Sequence, residues 1–300
     1  MKKIYALYNP YSGNNTGKDG AEKVKEFYKT EDIELKSLCD IGSYAEFFAS
    51  ISPEDDVVIC GGDGTISRFI NETEGVNYSN DVYFYATGTG NDFLRDIGRD
   101  KESAPLLINE YIKDLPVATV NDKKYRFLNN IGFGIDGYCC EVGDKLRAEH
   151  QPKIDYTSIA IKGLLFHYRP TNATVIVDGV EHTYKKVWIA PTMNGRYYGG
   201  GMMPTPAQDR LNEERTVSVM LFHGTSKLST LMIFPSLFKG EHLKHKKHVE
   251  VLSGHKITVR FDGPRPAQID GETIRDVTEY TVESGACVSI SSENTCKAAV

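Results

Sequence analysis

The sequence lacks any apolar run close to the ~20 residues that a membrane-spanning helix needs. The apolar start at residues 4–8 is interrupted by Asn9-Pro10 before it reaches the length of a signal-peptide core. The six cysteines form no C-x-x-C pair, which favours free thiols in a reducing compartment over disulfides. Internal repeats and low-complexity tracts are also absent. We therefore expect a cytoplasmic protein.

The sequence also has fewer basic than acidic residues. The chain has 35 Lys and Arg against 41 Asp and Glu, which gives a formal charge of −6. This balance argues against a general nucleic-acid binder, and we expect no nucleic-acid partner. The remaining composition is ordinary, because 300 residues with 25% charged and 10% aromatic are typical of a folded chain of about two domains.

Short apolar strands alternate with helical patterns over residues 1–115. Strands are predicted at 4–8, 57–60 and 82–86, and a helical pattern follows each of them. Such alternation with short connections predicts an α/β domain with a parallel, doubly wound sheet.

After Pro116 the pattern becomes β-rich. Helical stretches at 137–148 and 156–167 precede a series of strand patterns, one of which spans 268–274. These strands predict an antiparallel, sandwich-like second domain. We expect three segments: an α/β nucleotide-binding domain at 1–130, a β-rich lipid-substrate domain at 131–285, and a final segment at 286–300 that packs back on the first domain.

Three of the predicted strands end in glycine-rich loops. In an open parallel sheet, ligands bind outside the carboxyl ends of the strands. Glycine lets backbone N–H groups approach an anion, and a helix that begins there adds its positive end. Three such loops at one sheet edge predict a site for a phosphorylated ligand. The loops are Asn9-Pro10-Tyr11-Ser12-Gly13, Gly61-Gly62-Asp63-Gly64-Thr65 and Gly88-Thr89-Gly90-Asn91-Asp92.

Two other glycine patterns are weaker candidates. Residues 13–19 resemble a P-loop but are one residue short and lack Ser or Thr after Lys18, so we reject them. Gly132 to Gly137 match G-x-G-x-x-G, with Asp155 eighteen residues further on. The preceding strand belongs to a predicted hairpin and no βαβ unit follows, so a packing turn is favoured over a dinucleotide fingerprint.

Five motifs in a fixed order carry a family resemblance. The first three are N-P-x-S-G, G-G-D-G-T and G-T-G-N-D-F in the loops above. The others are Asn194 followed by Gly199-Gly200-Gly201 and Pro204, and later Asp270-Gly271-Glu272. Over essentially its whole length the chain resembles the diacylglycerol kinase catalytic-domain family of lipid kinases, which includes sphingosine kinases and is distantly similar to ATP:NAD kinases.

The resemblance implies a nucleotide domain, a β-sandwich-like domain and ATP in the cleft between them. It implies that Asp63 lies beside the triphosphate and Mg²⁺, and that Asp270 and Glu272 lie at the cleft. One of these two would accept the proton of the lipid hydroxyl, since phosphoryl transfer needs a group that orients the nucleophile. We favour Glu272 as the base, with Asp270 supporting it or binding metal. From the residues alone, Asp270-Gly271 is favoured as a hairpin turn.

The resemblance also implies which residues contact the nucleotide. All of them lie in the three glycine-rich loops, where backbone amides and small side chains can surround phosphate groups. They are Asn9, Pro10, Ser12, Gly13, Gly61, Gly62, Asp63, Gly64, Thr65, Gly88, Thr89, Asn91 and Asp92.

The sequence departs from the family pattern at three places. Ser67-Arg68 stand where the family has Asn-Glu, and Arg68 either clamps a phosphate or forms a salt bridge. Pro116 stands where the family has an acidic residue. The family's Asp-Gly after the G-G-G…P stretch is missing, with Asp209-Arg210 nearby, so the metal ligands stay unassigned.

A basic cluster marks the second half of the chain. Either it is a solvated face or it docks on anionic lipid; metal binding by its histidines is a weaker alternative. Its members are Lys239, His242, Lys244, His245, Lys246, Lys247 and His248.

The expected activity is transfer of the ATP γ-phosphate, with Mg²⁺, to a lipid hydroxyl during peripheral contact with a membrane. Diacylglycerol is the leading acceptor, which would give phosphatidic acid. The alternatives are a sphingoid base or another alcohol, with NAD less favoured, or a catalytically silent nucleotide- or lipid-binding protein. The oligomeric state is left open.

Overall fold

The computed structural model describes residues 2–12, 16–28, 32–88, 90–101, 103–151 and 154–285. The chain divides into two compact units between Lys113 and Asp114, here unit 1 and unit 2. The sequence analysis places the boundary further along the chain, after residue 130. The structure divides earlier because residues 117–126 form a hairpin that joins the sheet of unit 2. The predicted final segment at 286–300 lies outside the described residues.

Unit 1 has a layer of helices around one sheet. Its strands are β1 (Ile4–Tyr8), β2 (Ile33–Ser37), β3 (Asp56–Gly61), β4 (Val82–Ala86) and β5 (Leu106–Leu107). Its helices are α1 (Gly17–Glu22), α2 (Tyr44–Ser50), α3 (Asp63–Glu72), α4 (Asp92–Asp96) and α5 (Asn109–Lys113), with short 3₁₀ turns at Lys23–Glu26 and Leu38–Asp40. The strand order is β2-β1-β3-β4-β5, and every pair is parallel except β4–β5.

The central strand β3 explains why this sheet forms. All its residues are buried, as expected for a parallel strand covered on both faces. Strand β2 had no counterpart in the sequence prediction, because its I-E-L-K-S pattern is short and half polar. It pairs only with β1, at the edge of the sheet, where one face can remain polar.

Unit 2 is built mainly from antiparallel strands. They are β6 (Val117–Val120), β7 (Lys123–Arg126), β8 (Asn130–Gly134), β9 (Thr171–Val177), β10 (Val180–Met193), β11 (Val217–His223), β12 (Val249–Gly254), β13 (Lys256–Ile269) and β14 (Glu272–Glu283). The helices are α6 (Ile135–Ala148), α7 (Tyr156–Lys162) and α8 (Lys227–Ile233), with a π turn at Gly163–His167 and 3₁₀ turns at Phe234–Lys239 and Glu241–Lys244.

The long strands β10 and β13 curve this sheet around its core. The first half of each pairs with β9, and the second half of each pairs with β8. Register shifts between the two halves mark the bends, as β-bulges do. The enclosed core contains Phe133, Phe261 and Tyr280, whose rings pack together. The predicted fold class, a parallel α/β domain followed by a β-rich, sandwich-like domain, is confirmed.

One strand prediction is wrong. Residues 268–274 do not form a continuous strand, because Asp270 and Gly271 turn the chain between β13 and β14. Both have positive φ, 46° and 91°, as a two-residue type I′ hairpin requires. The Asp-Gly turn signal, considered for these residues on their own, is therefore correct for the backbone.

No helix of the described residues has the length and hydropathy to cross a bilayer. The four cysteines within the described ranges, Cys39, Cys60, Cys139 and Cys140, are free thiols. Burial raises the pKa of the vicinal pair Cys139 and Cys140, so both thiols stay protonated at neutral pH. Cys287 and Cys296 lie outside the described residues.

Candidate functional site

The second and third glycine-rich loops of unit 1 are in direct contact. The backbone oxygen of Gly61 accepts hydrogen bonds from the amides of Thr87 and Gly88, at 2.9 and 3.0 Å. A side chain at Gly61 would collide with Thr65, and a Cβ at Gly88 would lie 2.9 Å from the amide nitrogen of Gly62. Glycine is therefore required here, because the two loops approach each other backbone to backbone.

Asp63 fastens these loops together. It is the first residue of α3, it is buried, and its amide donates to the carbonyl of Gly90 over 3.1 Å. Its Oδ2 accepts from the amides of Asp92 (2.7 Å) and Phe93 (3.3 Å), the first residues of α4. A carboxylate favours a helix N-terminus, so Asp63 fixes the start of α4. The structure thus assigns Asp63 a positioning contact that the sequence analysis did not foresee.

The first loop is held by its own side chains. Asn9 Oδ1 accepts from the amide of Tyr11, and the carbonyl of Asn9 accepts from the amide and hydroxyl of Ser12. The amide of Asn9 donates to the carbonyl of Cys60, which ties this loop to the end of β3. Two of the predicted contacts, Gly13 and Thr89, lie outside the described residues.

The edge formed by these loops suits a phosphorylated ligand. Around Gly64 and Gly90 there is open space, since a Cβ at either would have no neighbour within 4 Å. Thr87 Oγ1 and Asn91 Oδ1 are buried oxygens without a hydrogen-bond partner in the described parts of the chain. Buried polar atoms without partners are costly, and a bound ligand can satisfy them. The Thr87 hydroxyl can donate to a phosphate oxygen, whereas Asn91 Oδ1 only accepts and would face a cation or a donor group of the nucleotide.

The same residues fit Mg²⁺ only as a partner of the nucleotide. Over the described ranges there is no group of three His, Cys, Asp or Glu that could hold a metal ion. Mg²⁺ usually takes most of its oxygen ligands from substrate phosphates and water, with one or two from the protein. Oxygens of Asn91 and neighbouring loop residues could supply such ligands.

Arg68 forms a salt bridge on the surface of α3. Its side chain is exposed on α3, and its Nε donates to Glu72 Oε1 over 2.7 Å. This i,i+4 ion pair lies on the helix surface, where such pairs contribute little stability. The salt bridge that the sequence analysis weighed against a phosphate clamp is the arrangement present.

In unit 2, the carboxylate of Asp270 is fully engaged by backbone amides. Its Oδ2 accepts from the amide of Leu128 (2.6 Å), and its Oδ1 accepts from the amides of Asn129 (2.8 Å) and Asn130 (3.1 Å). The backbone of Asp270 also donates to the carbonyl of Asn130. Asp270 thus anchors the segment that enters β8, which we name the 128–130 loop.

Glu272 differs sharply from Asp270. It is exposed at the first position of β14, opposite Ile269. Its carboxylate forms no hydrogen bond or ion pair within the described part of the chain. Of the two acidic residues in the D-G-E motif, Glu272 therefore has the carboxylate that is available to a ligand.

Sequence reasoning missed a residue that holds the same loop. Arg210 is 5% exposed and donates to the carbonyl of Leu128 and to Asn129 Oδ1. Asn194, from the N…G-G-G…P motif, donates its Nδ2 to the Leu128 carbonyl over 2.9 Å. The sequence analysis named Arg210 only beside Asp209, near the missing Asp-Gly of the family pattern. Only its burial identifies it as a loop anchor.

The other candidate motifs have structural roles. Gly132 to Gly137 belong to β8 and α6, and a side chain at Gly137 would collide with the Pro266 backbone, so the packing turn is confirmed. His242 is buried with Nε2 2.8 Å from the Pro204 carbonyl, which argues against its use as a metal ligand. A cavity of about 470 Å³ in unit 2 has Asp209 and Glu213 in its wall, and neither Asp270 nor Glu272 lines it.

A buried carboxylate lies in the first turn of α6. Asp136 is 7% exposed, and its Oδ2 accepts from Gln268 Nε2 over 3.2 Å. Burial raises the pKa of Asp136 to about 6, against hydrogen bonds from Gln268 and nearby amides that lower it. Above that pH the folded chain must hold a charge away from water.

Replacement of Asp136 by Asn should therefore stabilise unit 2 at neutral pH. The native state holds the proton more tightly than the unfolded state, so wild-type stability falls as pH rises from about 4 through 6. We expect Asp136→Asn to gain up to ~3 kcal/mol at pH ~7.5 and almost nothing near pH 4. Denaturant unfolding can be followed through Trp188, the single tryptophan, which is buried in unit 2.

Asp144→Asn is the control for this experiment, because Asp144 lies on the same helix in a more exposed ion pair with Arg147. Its stability should follow the wild-type pH profile. Equal stability of Asp136→Asn and the wild type at pH ~7.5 would contradict the burial of a titrating carboxylate.

Two family models cover nearly the whole chain. The diacylglycerol kinase catalytic domain matches residues 3–120. The YegS C-terminal NAD kinase beta sandwich-like domain matches residues 129–288, more than half of the chain. The chain belongs to the diacylglycerol kinase catalytic-domain family. The three glycine-rich loops of this family member lie in the first matched region, and Asp270-Gly271-Glu272 lie in the second.

Curated relatives and solved structures agree with this assignment. A protein named diacylglycerol kinase from Mycobacterium tuberculosis is 24% identical over 81% of this chain and 80% of its own. Another, from Bacillus subtilis, is 22% identical over 91% of this chain and 90% of its own. A crystal structure of a diacylglycerol kinase from Bacillus anthracis superposes with a TM-score of 0.64 at 18% identity, covering 95% of each chain. At this identity the structure supports the fold alone.

Proposed function

We propose that this protein is an ATP-dependent lipid kinase that phosphorylates the hydroxyl of diacylglycerol to give phosphatidic acid. Its membership in a family of lipid kinases supports the reaction class. The observation that carries the nucleotide part is the joined pair of loops in unit 1, where Asp63 holds the start of α4 and Gly64 and Gly90 stay open.

Unit 1 supplies the groups that would bind and orient the phosphates. The loops after β1, β3 and β4 lie at the carboxyl ends of neighbouring parallel strands. Their backbone amides and the N-terminus of α3 favour negative charge there. When bound with the nucleotide, Mg²⁺ would neutralise charge on the phosphates. Asp63 would keep the two loops in register during transfer.

Unit 2 would supply the group that accepts the proton. Glu272 has the exposed carboxylate and can hydrogen-bond an acceptor hydroxyl as its proton leaves. Asp270 holds three amides of the 128–130 loop, so we assign it a positioning role beside Glu272. The geometry thus favours the base assignment that the sequence suggested.

The test is phosphate transfer from radiolabelled ATP with Mg²⁺ in mixed micelles. Separate reactions would contain diacylglycerol, a sphingoid base, a monoacylglycerol or NAD, and label would be measured in the organic and aqueous phases. We expect label in phosphatidic acid, with the other acceptors slower by an order of magnitude or more.

Other outcomes revise the proposal in defined ways. Label mainly in another lipid keeps the mechanism and changes the acceptor, and label in NADP moves the activity to the dinucleotide. Nucleotide binding without any labelled product would contradict the kinase proposal and favour a catalytically silent binding protein.

A further inference from the structure

Exposed apolar side chains of unit 2 concentrate in two segments, 156–169 and 225–240. Of the eleven large hydrophobic residues exposed in the described part of the chain, six lie in these segments. The most exposed of the six are Phe166 (71%), Met232 (68%) and Leu228 (65%). Single exposed hydrophobic residues are normal, whereas a cluster marks contact with a partner or a membrane.

The two segments lie against each other. Lys227 Nζ, at the start of α8, donates to the carbonyl of Leu165 over 2.8 Å. Phe166 follows Leu165 and Leu228 follows Lys227, so this hydrogen bond brings Phe166 and Leu228 close to each other. Thr230 on α8 is fully buried, while Leu228 and Met232, four residues apart, share the opposite face. We name Phe166, Leu228 and Met232 the docking patch.

The charged side chains within the two segments have one sign, while Asp155 directly precedes the first segment and Glu241 directly follows the second. The two segments contain Lys162, Arg169, Lys227 and Lys239 and not one Asp or Glu, in a chain with 41 acidic residues. Apolar side chains with a net positive charge beside them complement an anionic bilayer, where the rings and aliphatic chains enter and the cations meet lipid phosphates. A second copy of the chain fits less well, because a symmetric interface would bring like charges together.

We infer that the docking patch inserts into the interface of an anionic bilayer, with Lys162, Arg169 and Lys239 at the lipid phosphates. This inference deepens the proposed function. It rests on that function in one respect, because a lipid kinase must reach its substrate in a membrane. It also moves the docking site away from residues 242–248 of the basic cluster weighed in the sequence analysis, and keeps only Lys239 of that cluster. In that basic cluster, Lys244 pairs with Glu241 over 3.4 Å, and Leu237 just before it is buried.

The test is sedimentation of the full chain with vesicles of two compositions. One is phosphatidylcholine alone, and the other contains about one third phosphatidylglycerol. The wild type should bind the anionic vesicles about tenfold more tightly than the neutral ones, and added salt should weaken binding. Leu228→Ser/Met232→Ser should weaken binding about tenfold or more, because two apolar side chains no longer enter the bilayer.

Matched controls separate the docking patch from general surface effects. Val180→Ser removes another hydrophobic side chain of unit 2, 59% exposed in the β9–β10 hairpin, and should bind like the wild type. Lys162→Gln/Arg169→Gln/Lys239→Gln should reduce binding to anionic vesicles more than Lys244→Gln/Lys246→Gln/Lys247→Gln. Thermal unfolding of each variant would verify that it is folded.

The possible outcomes test the docking patch and the kinase proposal separately. Absent vesicle binding by the wild type, unchanged binding by Leu228→Ser/Met232→Ser, or a larger loss from the 244–247 variant would overturn the docking patch. Patch-dependent binding without phosphorylation of any lipid would keep the docking patch and reject the kinase proposal. Kinase activity in detergent micelles with no patch-dependent binding would do the reverse.

Discussion

Asp63→Asn should lower kcat for phosphate transfer by at least about a hundredfold. Asparagine keeps an oxygen that can accept from the amides of Asp92 and Phe93, so the loops should stay joined. The negative charge at the start of α4 is lost, and with it the attraction that we propose Asp63 exerts on Mg²⁺ bound with the nucleotide phosphates. The measurement is kcat and the ATP KM in the micelle assay, together with unfolding by denaturant.

Asp55→Asn is a matched control for this variant. Asp55 is also buried, and its two oxygens accept from the amides of Lys3 and Ser52, each at 2.9 Å. It precedes β3, whereas Asp63 follows it, so it lies at the opposite end of the strand. Asp63→Asn should lose ~1 kcal/mol of stability, because a hydrogen bond to a charged acceptor becomes neutral. Asp55→Asn should lose roughly 1–3 kcal/mol, because its NH₂ group must face one of the two N–H donors. Equal kcat in the two variants would reduce Asp63 to a structural residue.

Glu272→Gln should lower kcat by about a hundredfold to ten-thousandfold while the ATP KM stays near its wild-type value. The reason is that the amide keeps the size of the side chain but cannot accept a proton. The carboxylate is exposed and unengaged within the described residues, so its loss should leave stability unchanged. The split between kcat and KM is the informative measurement.

Glu279→Gln controls for the loss of one charge on the same strand. Glu279 is paired with Arg260 on the neighbouring strand, so its replacement should cost little stability and no activity. If Glu279→Gln lowered kcat as much as Glu272→Gln, the effect would come from net charge and the base assignment would be rejected.

Asp270→Asn separates the two members of the D-G-E motif. Both oxygens of Asp270 accept amide hydrogens, so an NH₂ group must face at least one N–H donor. We expect a stability loss of roughly 1–3 kcal/mol, with activity reduced through the displaced 128–130 loop. A kcat loss without any loss of stability would instead identify Asp270 as the base.

Much of the architecture could be predicted from the sequence, because the signals are local. The buried run in β3, the glycines after β3 and β4, and the start of α3 each depend on residues that are near neighbours in the chain. The same holds for the Asp270-Gly271 turn, whose positive φ values favour these two residue types. Edge strand β2 was missed, because a short half-polar segment has no strong period.

The roles of the site residues were harder to predict, because they depend on distant partners. Asp63 holds amides 29 and 30 positions away, and Asp270 holds the 128–130 loop from 140 to 142 positions away. Nothing in the residues around Arg210 indicates that its guanidinium is buried against the same loop. A pattern of neighbouring residues cannot show which acidic side chain accepts hydrogen bonds from distant residues and which is exposed to solvent.

The sequence by itself therefore determined the fold class, the position of the three glycine-rich loops and the family of this protein. Hydrophobic period and turn chemistry are properties of neighbouring residues, and they survive at low sequence identity. The tertiary structure alone decided that Asp63 and Asp270 fasten loops, that Glu272 is available, and that Asp136 is buried. These facts arise when packing removes water from some polar groups and brings hydrogen-bond partners to others.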